Sequence, residues 1–229
     1  MARMSETACM LTVIAAIAFA QQINTLTPAE KRHGWKLLFD GKTTKGWHNF
    51  RQTTIGSGWQ VIDGVLTCAD PGKAGDIVTD EKYDWFELDV DFKLTKGGNS
   101  GIMVHCADEG ETMWFSGPEI QIYDDHGEPG AQKNGFLYDI YDSKVDSAKP
   151  CGEWNHFHIV ISKKKCSTTL NGVKYYDWVW GSKEFFDKVK TTKFADLPLF
   201  GKLDKGTIGI QGDHGVVSFR NIKLRPLKE

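Results

Sequence analysis

From Asp84 to Lys93 the chain alternates with a period of two: Phe86, Leu88, Val90 and Phe92 interleave with Glu87, Asp89, Asp91 and Lys93. Successive side chains of a strand point to opposite faces, so this stretch builds one apolar and one charged surface. A helix would scatter the same four apolar residues around its axis. The apolar face must be covered by a second layer, which commits the chain to a sheet packed on something else. The three acids on the other face could gather a cation. The simpler reading is a solvated outer face, because antiparallel sheets commonly leave one side in water.

The pattern recurs. Glu119 to Tyr123 places Ile120 and Ile122 on one face and Glu119, Gln121 and Tyr123 on the other. Gly101, Met103 and His105 alternate with Ile102 and Val104, and Phe157, Ile159 and Ile161 alternate with His156, His158 and Val160. Ile77 to Thr79, Gly206 to Gln211 and Val216 to Leu224 read as further strands, and Gly34 to Gly41 as a strand ending in an Asp-Gly turn. Asp63-Gly64 and Asn171-Gly172 each sit between two apolar runs, the strongest short-range hairpin signal. Ser182 to Lys190 reads as a helix, with Ser182 as its cap and Phe185, Phe186 and Val189 as its apolar stripe. Thr27-Pro28 opens a shorter helical turn. Twenty-four Gly and eight Trp suit many short strands joined by tight turns. Trp35, Trp59 and Trp154, beside strand starts, read as core. The expectation is an all-β, two-sheet antiparallel sandwich with one short rim helix, as a single domain over residues 34–229 after a polar leader at 21–33.

Arg3 followed by the apolar run Ala8 to Phe19 and the small-residue pair around Ala20 reads as a signal peptide over residues 1–20, cleaved after Ala20. The run is too short for a membrane span, and no other run is longer. The expectation is an exported protein, periplasmic or secreted, without a transmembrane segment. A formal charge of -2 with no clustered basic excess gives no nucleic-acid footprint. Cys68, Cys106, Cys151 and Cys166 lie beyond the leader and permit two disulfides in three connectivities, with free buried thiols an equal reading.

A carboxylate, an amide and a phenol in one row, followed by Asp124, Asp125 and His126, is a surface suited to a sugar or a metal. Trp114, Tyr123, Tyr141 and Trp180 are rings that could stack on a sugar face, though core or rim packing is the commoner reading of each.

Asn99-Ser-Gly-Ile102, Gly117-Pro-Glu-Ile-Gln-Ile-Tyr-Asp124, Gly135 to Tyr138, Glu153-Trp-Asn155, Asn171-Gly172, Ser182 to Phe200, and Gly209-Ile-Gln-Gly-Asp-His-Gly215 with Phe219-Arg-Asn-Ile222 follow one another in this order. The order resembles the 3-keto-disaccharide hydrolase family, once called domain of unknown function 1080, over about residues 34–227. The resemblance implies a jelly-roll sandwich similar to concanavalin-type lectins and glucanases, with carbohydrate bound along one sheet. It implies cleavage of glycosidic bonds in sugars already oxidised to a ketone at C3. A C3 ketone acidifies the C2 hydrogen, and the resulting enolate can expel the C1 substituent by elimination before water adds. Such a route needs a base, an enolate stabiliser and a proton source. The candidates are Glu119 as base, His126 and His214 as acids, and His105, Gln121, Tyr123, Gln211 and Trp114 as substrate contacts. A divalent cation held by Glu119 and His126 would serve as a Lewis acid. Where the family often carries Arg, Gly101-Ile-Met-Val-His105 ends in His, a residue that exchanges protons near neutral pH. Two other readings stay open. One is an ordinary glycosidase, for which Glu119-Ile-Gln-Ile-Tyr-Asp124 lacks an obvious second carboxylate and offers only Asp124 or Asp139. The other is a non-catalytic, lectin-like binding module.

Overall fold

A computed structural model describes residues 22–124 and 133–228. The expected signal peptide and His126 lie outside these residues. The elements, in order, are α1 (Pro28–Arg32), β1 (Lys36–Leu37), β2 (Trp47–Asn49), β3 (Trp59–Ile62), β4 (Val65–Cys68), α2 (Pro71–Ala74), β5 (Ile77–Thr79), β6 (Phe86–Leu94), β7 (Asn99–Cys106), a 3-10 turn (Met113–Phe115), β8 (Glu119–Tyr123), β9 (Asn155–Ile161), β10 (Cys166–Leu170), β11 (Val173–Trp178), α3 (Lys183–Val189), β12 (Thr207–Ile210) and β13 (Val217–Pro226). They form two antiparallel sheets. The larger runs β11-β10-β9-β6-β13-β4-β3 with β1 added on β13, and the smaller runs β2-β5-β12-β7-β8. This is the expected jelly-roll sandwich. Among the described residues no helix is long and apolar enough to cross a membrane.

The period-two stretches supply the core. On β6, Phe86, Leu88, Val90 and Phe92 are buried, and so are Phe157, Ile159 and Ile161 on β9. Phe92 stacks on Phe157 with ring centroids 4.7 Å apart. Ile102, Val104, Ile120, Ile122, Ile208 and Ile210 of the smaller sheet complete the same cluster. Both hairpin dipeptides take the left-handed backbone that a tight two-residue turn requires, with φ of 50° and 79° at Asp63-Gly64 and 49° and 81° at Asn171-Gly172. Ser182 accepts a hydrogen bond from Phe185 N and caps α3, the rim helix expected from the sequence.

Residues from 22 onward are docked rather than loose. Asn24 and Asn221 exchange backbone-to-side-chain hydrogen bonds of 2.7 and 2.8 Å, and Thr27 and Glu30 form a capping box on α1. The acidic face of β6 is paired across the sheet with imidazole and guanidinium groups. Asp89 meets His158 at 2.7 Å, Asp91 meets His156 at 2.8 Å and Arg220 at 3.2 Å, and Glu87 meets Arg225 at 2.8 Å.

Several expectations change. Gly34 to Gly41 forms only the two-residue β1. Trp59 is core, but Trp35 and Trp154 are half-buried on the outer face, where Arg225 lies 5.7 Å and Arg220 4.0 Å from their rings. Of the two readings open for the cysteines, Cys68 and Cys106 take that of buried free thiols.

Candidate active site

The outer face of the smaller sheet is where the polar residues gather. Strand pairing sets their rows. Gly209 pairs with Val78 and Met103, and Met103 pairs with Glu119. One step along, Gln211 N donates to Gly101 O at 3.1 Å, and Gly101 pairs with Gln121. Continuing the β5–β12 register by one residue puts Asp76 opposite Gln211. One transverse row is therefore Asp76, Gln211, Gly101, Gln121. The neighbouring row is covered in part by an apolar patch of Val78, Met103, Cys106 and Met113.

A cleft of about 240 Å³ opens over the first row, lined by Glu119, Gln121, Gln211, His214, Lys193 and Asn99 with Trp114, Tyr138 and Phe194. Glu119 begins β8 in the neighbouring row, two residues before Gln121, and its carboxyl leans across into this one. The space comes from Gly101. A methyl built there would come within 2.6 Å of Glu119 Cγ and Cδ, and closer still to Oε1. The glycine of the Asn-Ser-Gly-Ile motif is thus the seat of the carboxyl. Among the described residues Glu119's carboxyl makes no hydrogen bond, and the residue is half-buried where it lines the cleft. Burial pushes its pKa up to about 8; the charge of Lys193 works against that and Asp76 adds to it. A desolvated carboxyl in a cleft, without a hydrogen bond among the described residues, is a candidate acid or base.

Gln121 is 2% exposed and donates through Nε2 to Asn99 Oδ1 at 3.1 Å, but its Oε1 is buried without a partner among the described residues. An orphaned acceptor lining a cleft is a place for a ligand hydroxyl. The opposite wall is aromatic. Lys193 donates to Tyr138 Oη at 3.3 Å and lies 4.5 Å from the Tyr138 ring, 5.3 Å from that of Phe194 and 5.9 Å from that of Trp114. Trp114 is 38% exposed and presents a ring face suited to a sugar. His214 bonds the Asp213 carboxylate through Nδ1, and its carbonyl accepts from Asn99 N at 2.9 Å.

Glu119, Gln121, Gln211, His214 and Trp114 are thus brought together. His105 is not. Between the pairs Thr207–Cys106 and Gly209–Met103 the register slips by one residue, and His105 takes φ of 55°. The bulge reverses the alternation. His105 turns inward, is 0% exposed, and packs against Trp85, Phe86 and Trp180. Its ring nitrogens bond the carbonyls of Leu203, at 2.8 Å, and Asp84. Burial lowers its pKa. The expected substrate contact is a structural imidazole. Tyr123 keeps the parity of its row but lines a neighbouring hollow with Asn134, Asp146 and Asn155. Of the other rings, Trp180 is core and Tyr141 stacks on Tyr176 at 5.8 Å. The cation expected between Glu119 and His126 depends on a residue outside the described ones. Among the described residues no three His, Cys, Asp or Glu side chains gather as a cation site.

Asp76, Lys193 and Tyr138 are the residues that the sequence reading missed. Asp76 Oδ1 accepts from Gly212 N at 3.1 Å, and burial, helped by the Asp213 charge, pushes its carboxyl up to about 6.

The seat under Glu119 gives a direct test. Gly101→Ala is expected to keep the fold while displacing the carboxyl by about an ångström, which costs on the order of 100-fold in turnover. Unchanged turnover in a folded Gly101→Ala protein would remove Glu119 from the chemistry.

The sequence profile of the 3-keto-alpha-glucoside-1,2-lyase-like domain matches residues 34–225. A 3-keto-disaccharide hydrolase of Bacteroides thetaiotaomicron is 30% identical over 91% of this chain and 83% of its own. Two solved structures of candidate glycosyl hydrolases from Parabacteroides distasonis are also similar. One superposes with a TM-score of 0.83 at 31% identity, covering 90% of this chain and all of its own. The other gives 0.66 at 33% identity over 84% of this chain and 99% of its own.

Proposed function

Because the chain belongs to the family of the 3-keto-alpha-glucoside-1,2-lyase-like domain, we propose that it cleaves glycosidic bonds of 3-keto-glycosides by elimination, with Glu119 as the base. The observation that carries this reading is the Glu119 carboxyl: seated over Gly101, without a hydrogen bond among the described residues, and facing a cationic, aromatic wall. A carboxyl pushed up to about 8 is a stronger base, once ionised, than an ordinary one.

The steps balance as follows. The sugar ring lies against Trp114, with hydroxyls on Gln121 Oε1 and Gln211. Glu119 takes the C2 hydrogen as a proton, and the electron pair moves onto the C3 oxygen as an enolate. The Lys193 ammonium stabilises that charge. The enolate collapses to a C1=C2 double bond conjugated with the ketone, and the C1–O bond breaks. His214 supplies the proton that the departing oxygen takes. Exported localisation agrees with a carbohydrate scavenger and remains part of the same proposal.

The test is release of nitrophenol from a chromogenic 3-keto-glucoside by the protein lacking residues 1–20, with and without chelator, beside the unoxidised glucoside. Release from the keto substrate alone supports elimination, and a loss with chelator adds the cation expected from the sequence. Release from the unoxidised glucoside would instead support an ordinary glycosidase. That second reading is favoured by one observation, the Asp76 carboxyl in the same row as the Glu119 seat. Binding of both sugars without release of either would leave a lectin-like module.

A further inference from the structure

Elimination leaves a 2-hydroxy-3-keto-glycal, and hydrolysis is complete only when water adds across its C1=C2 bond. Glu119, protonated by the first step, can return its proton to C2, but water must reach C1 with a base beside it. His214, which lines the cleft, is one such group once it has given up its proton, and Asp76, at the end of the row beside that lining, is the one carboxylate on the sheet placed across Gln211 from Glu119. Asp76 stands in the row of Gln211, Gly101 and Gln121, two strand spacings from Gly101, roughly 10 Å at the backbone. Because the Glu119 carboxyl leans over Gly101, the two carboxyls flank Gln211, which lines the cleft.

We infer that Asp76 is the base for the hydration half-reaction, which makes this chain a hydrolase and not only a lyase. The inference rests on the eliminative reading above. Asp76 Oδ1 is held by Gly212 N, so the carboxylate is fixed in orientation, while Oδ2 accepts from no described residue. Oδ2 takes one proton from water, the oxygen bonds to C1, the C1=C2 pair shifts to an enolate at C3, and Glu119 protonates C2. The product is the free 3-keto sugar. No oxidant or reductant is needed: Glu119 ends ionised as it began, and the proton that Asp76 gains passes through solvent to restore the one that His214 gave to the leaving oxygen. Asp76's carboxyl, raised to about 6, is ionised at neutral pH while Glu119, at about 8, is the group that holds a proton there. Two carboxyls with pKa values pushed apart can divide the roles of base and acid.

Asp76→Asn separates the two halves and keeps an acceptor for Gly212 N. The experiment follows nitrophenol release and the ultraviolet absorbance of the conjugated enone together, and also supplies the synthetic 2-hydroxy-3-keto-glycal directly. Hydration by Asp76→Asn is expected to fall about 100-fold more than nitrophenol release, so that the enone accumulates. An unchanged melting temperature shows that the Gly212 turn is intact; if Asp76→Asn melts early, Asp76→Glu, which keeps the carboxyl, should restore hydration. Hydration of the glycal at the wild-type rate by Asp76→Asn overturns the inference, and so does an equal fall in both steps. If the wild-type protein releases no nitrophenol, the eliminative reading fails first and takes this one with it.

Discussion

Glu119→Gln is expected to lower kcat/KM on a 3-keto-glucoside by about 1,000-fold, the range of a positioned proton-transfer group. The substitution keeps shape and volume. The carboxyl makes no hydrogen bond among the described residues, so the amide breaks none there. A structural role would therefore show as a loss of stability, and a catalytic one as a loss of rate without it. The sign of the stability change follows from the raised pKa. Burial lifts Glu119 to about 8, well above the range of an unfolded glutamate. Between the two values the folded state holds the proton and the unfolded state does not, so stability falls as pH rises through that window. Glu119→Gln removes this cost. Its melting temperature should match the wild type near pH 4 and exceed it at pH 8. Wild-type kcat/KM should climb as the base ionises, about tenfold per pH unit below about 8, and then level. A flat profile from pH 6 to 9, or an equal melting-temperature gap at both pH values, would exclude Glu119 as the titrating base.

The fold was legible because its signals are local. Alternation along β6 and β9 needs no partner to be read, and Asn-Gly and Asp-Gly report a left-handed backbone from two residues alone. The rows that line the candidate cleft were legible where strand parity held, at Glu119, Gln121 and Gln211. It failed at His105, because a single extra residue in β7 relative to β12 inverts the alternation, and nothing between Gly101 and Cys106 announces a bulge. Asp76 was illegible for a different reason. It precedes a three-residue strand, and its place in the row exists only once β5, β12, β7 and β8 are ordered in space. Lys193 comes from the loop after α3, where no periodicity operates. Trp154 read as core because an aromatic beside a strand usually is; here Arg220 and Lys93 cover it on the outer face.

Lys193→Met is expected to lower kcat by about 1,000-fold with little change in KM, because the enolate charge that Lys193 meets exists only beyond the ground state. Removing one preorganised donor from a developing oxyanion costs about 100- to 1,000-fold in other enzymes, and a full positive charge in a cleft sits at the upper end. Lys193 is exposed on a loop, and methionine can keep its stem against Phe194 and Tyr138, so the fold should stand. A second readout separates charge from packing. The Lys193 charge holds Glu119 below the value that burial alone would set. Without it the neutral carboxyl is favoured further, and the alkaline rise of kcat/KM moves to higher pH. The deficit of Lys193→Met should therefore be larger at pH 7 than at pH 9. Lys193→Arg keeps the charge and should keep the wild-type profile even if its reach differs. A rate loss in Lys193→Met with the pH profile unmoved would mean that Lys193 shapes the aromatic wall and does not act on Glu119 or on the enolate.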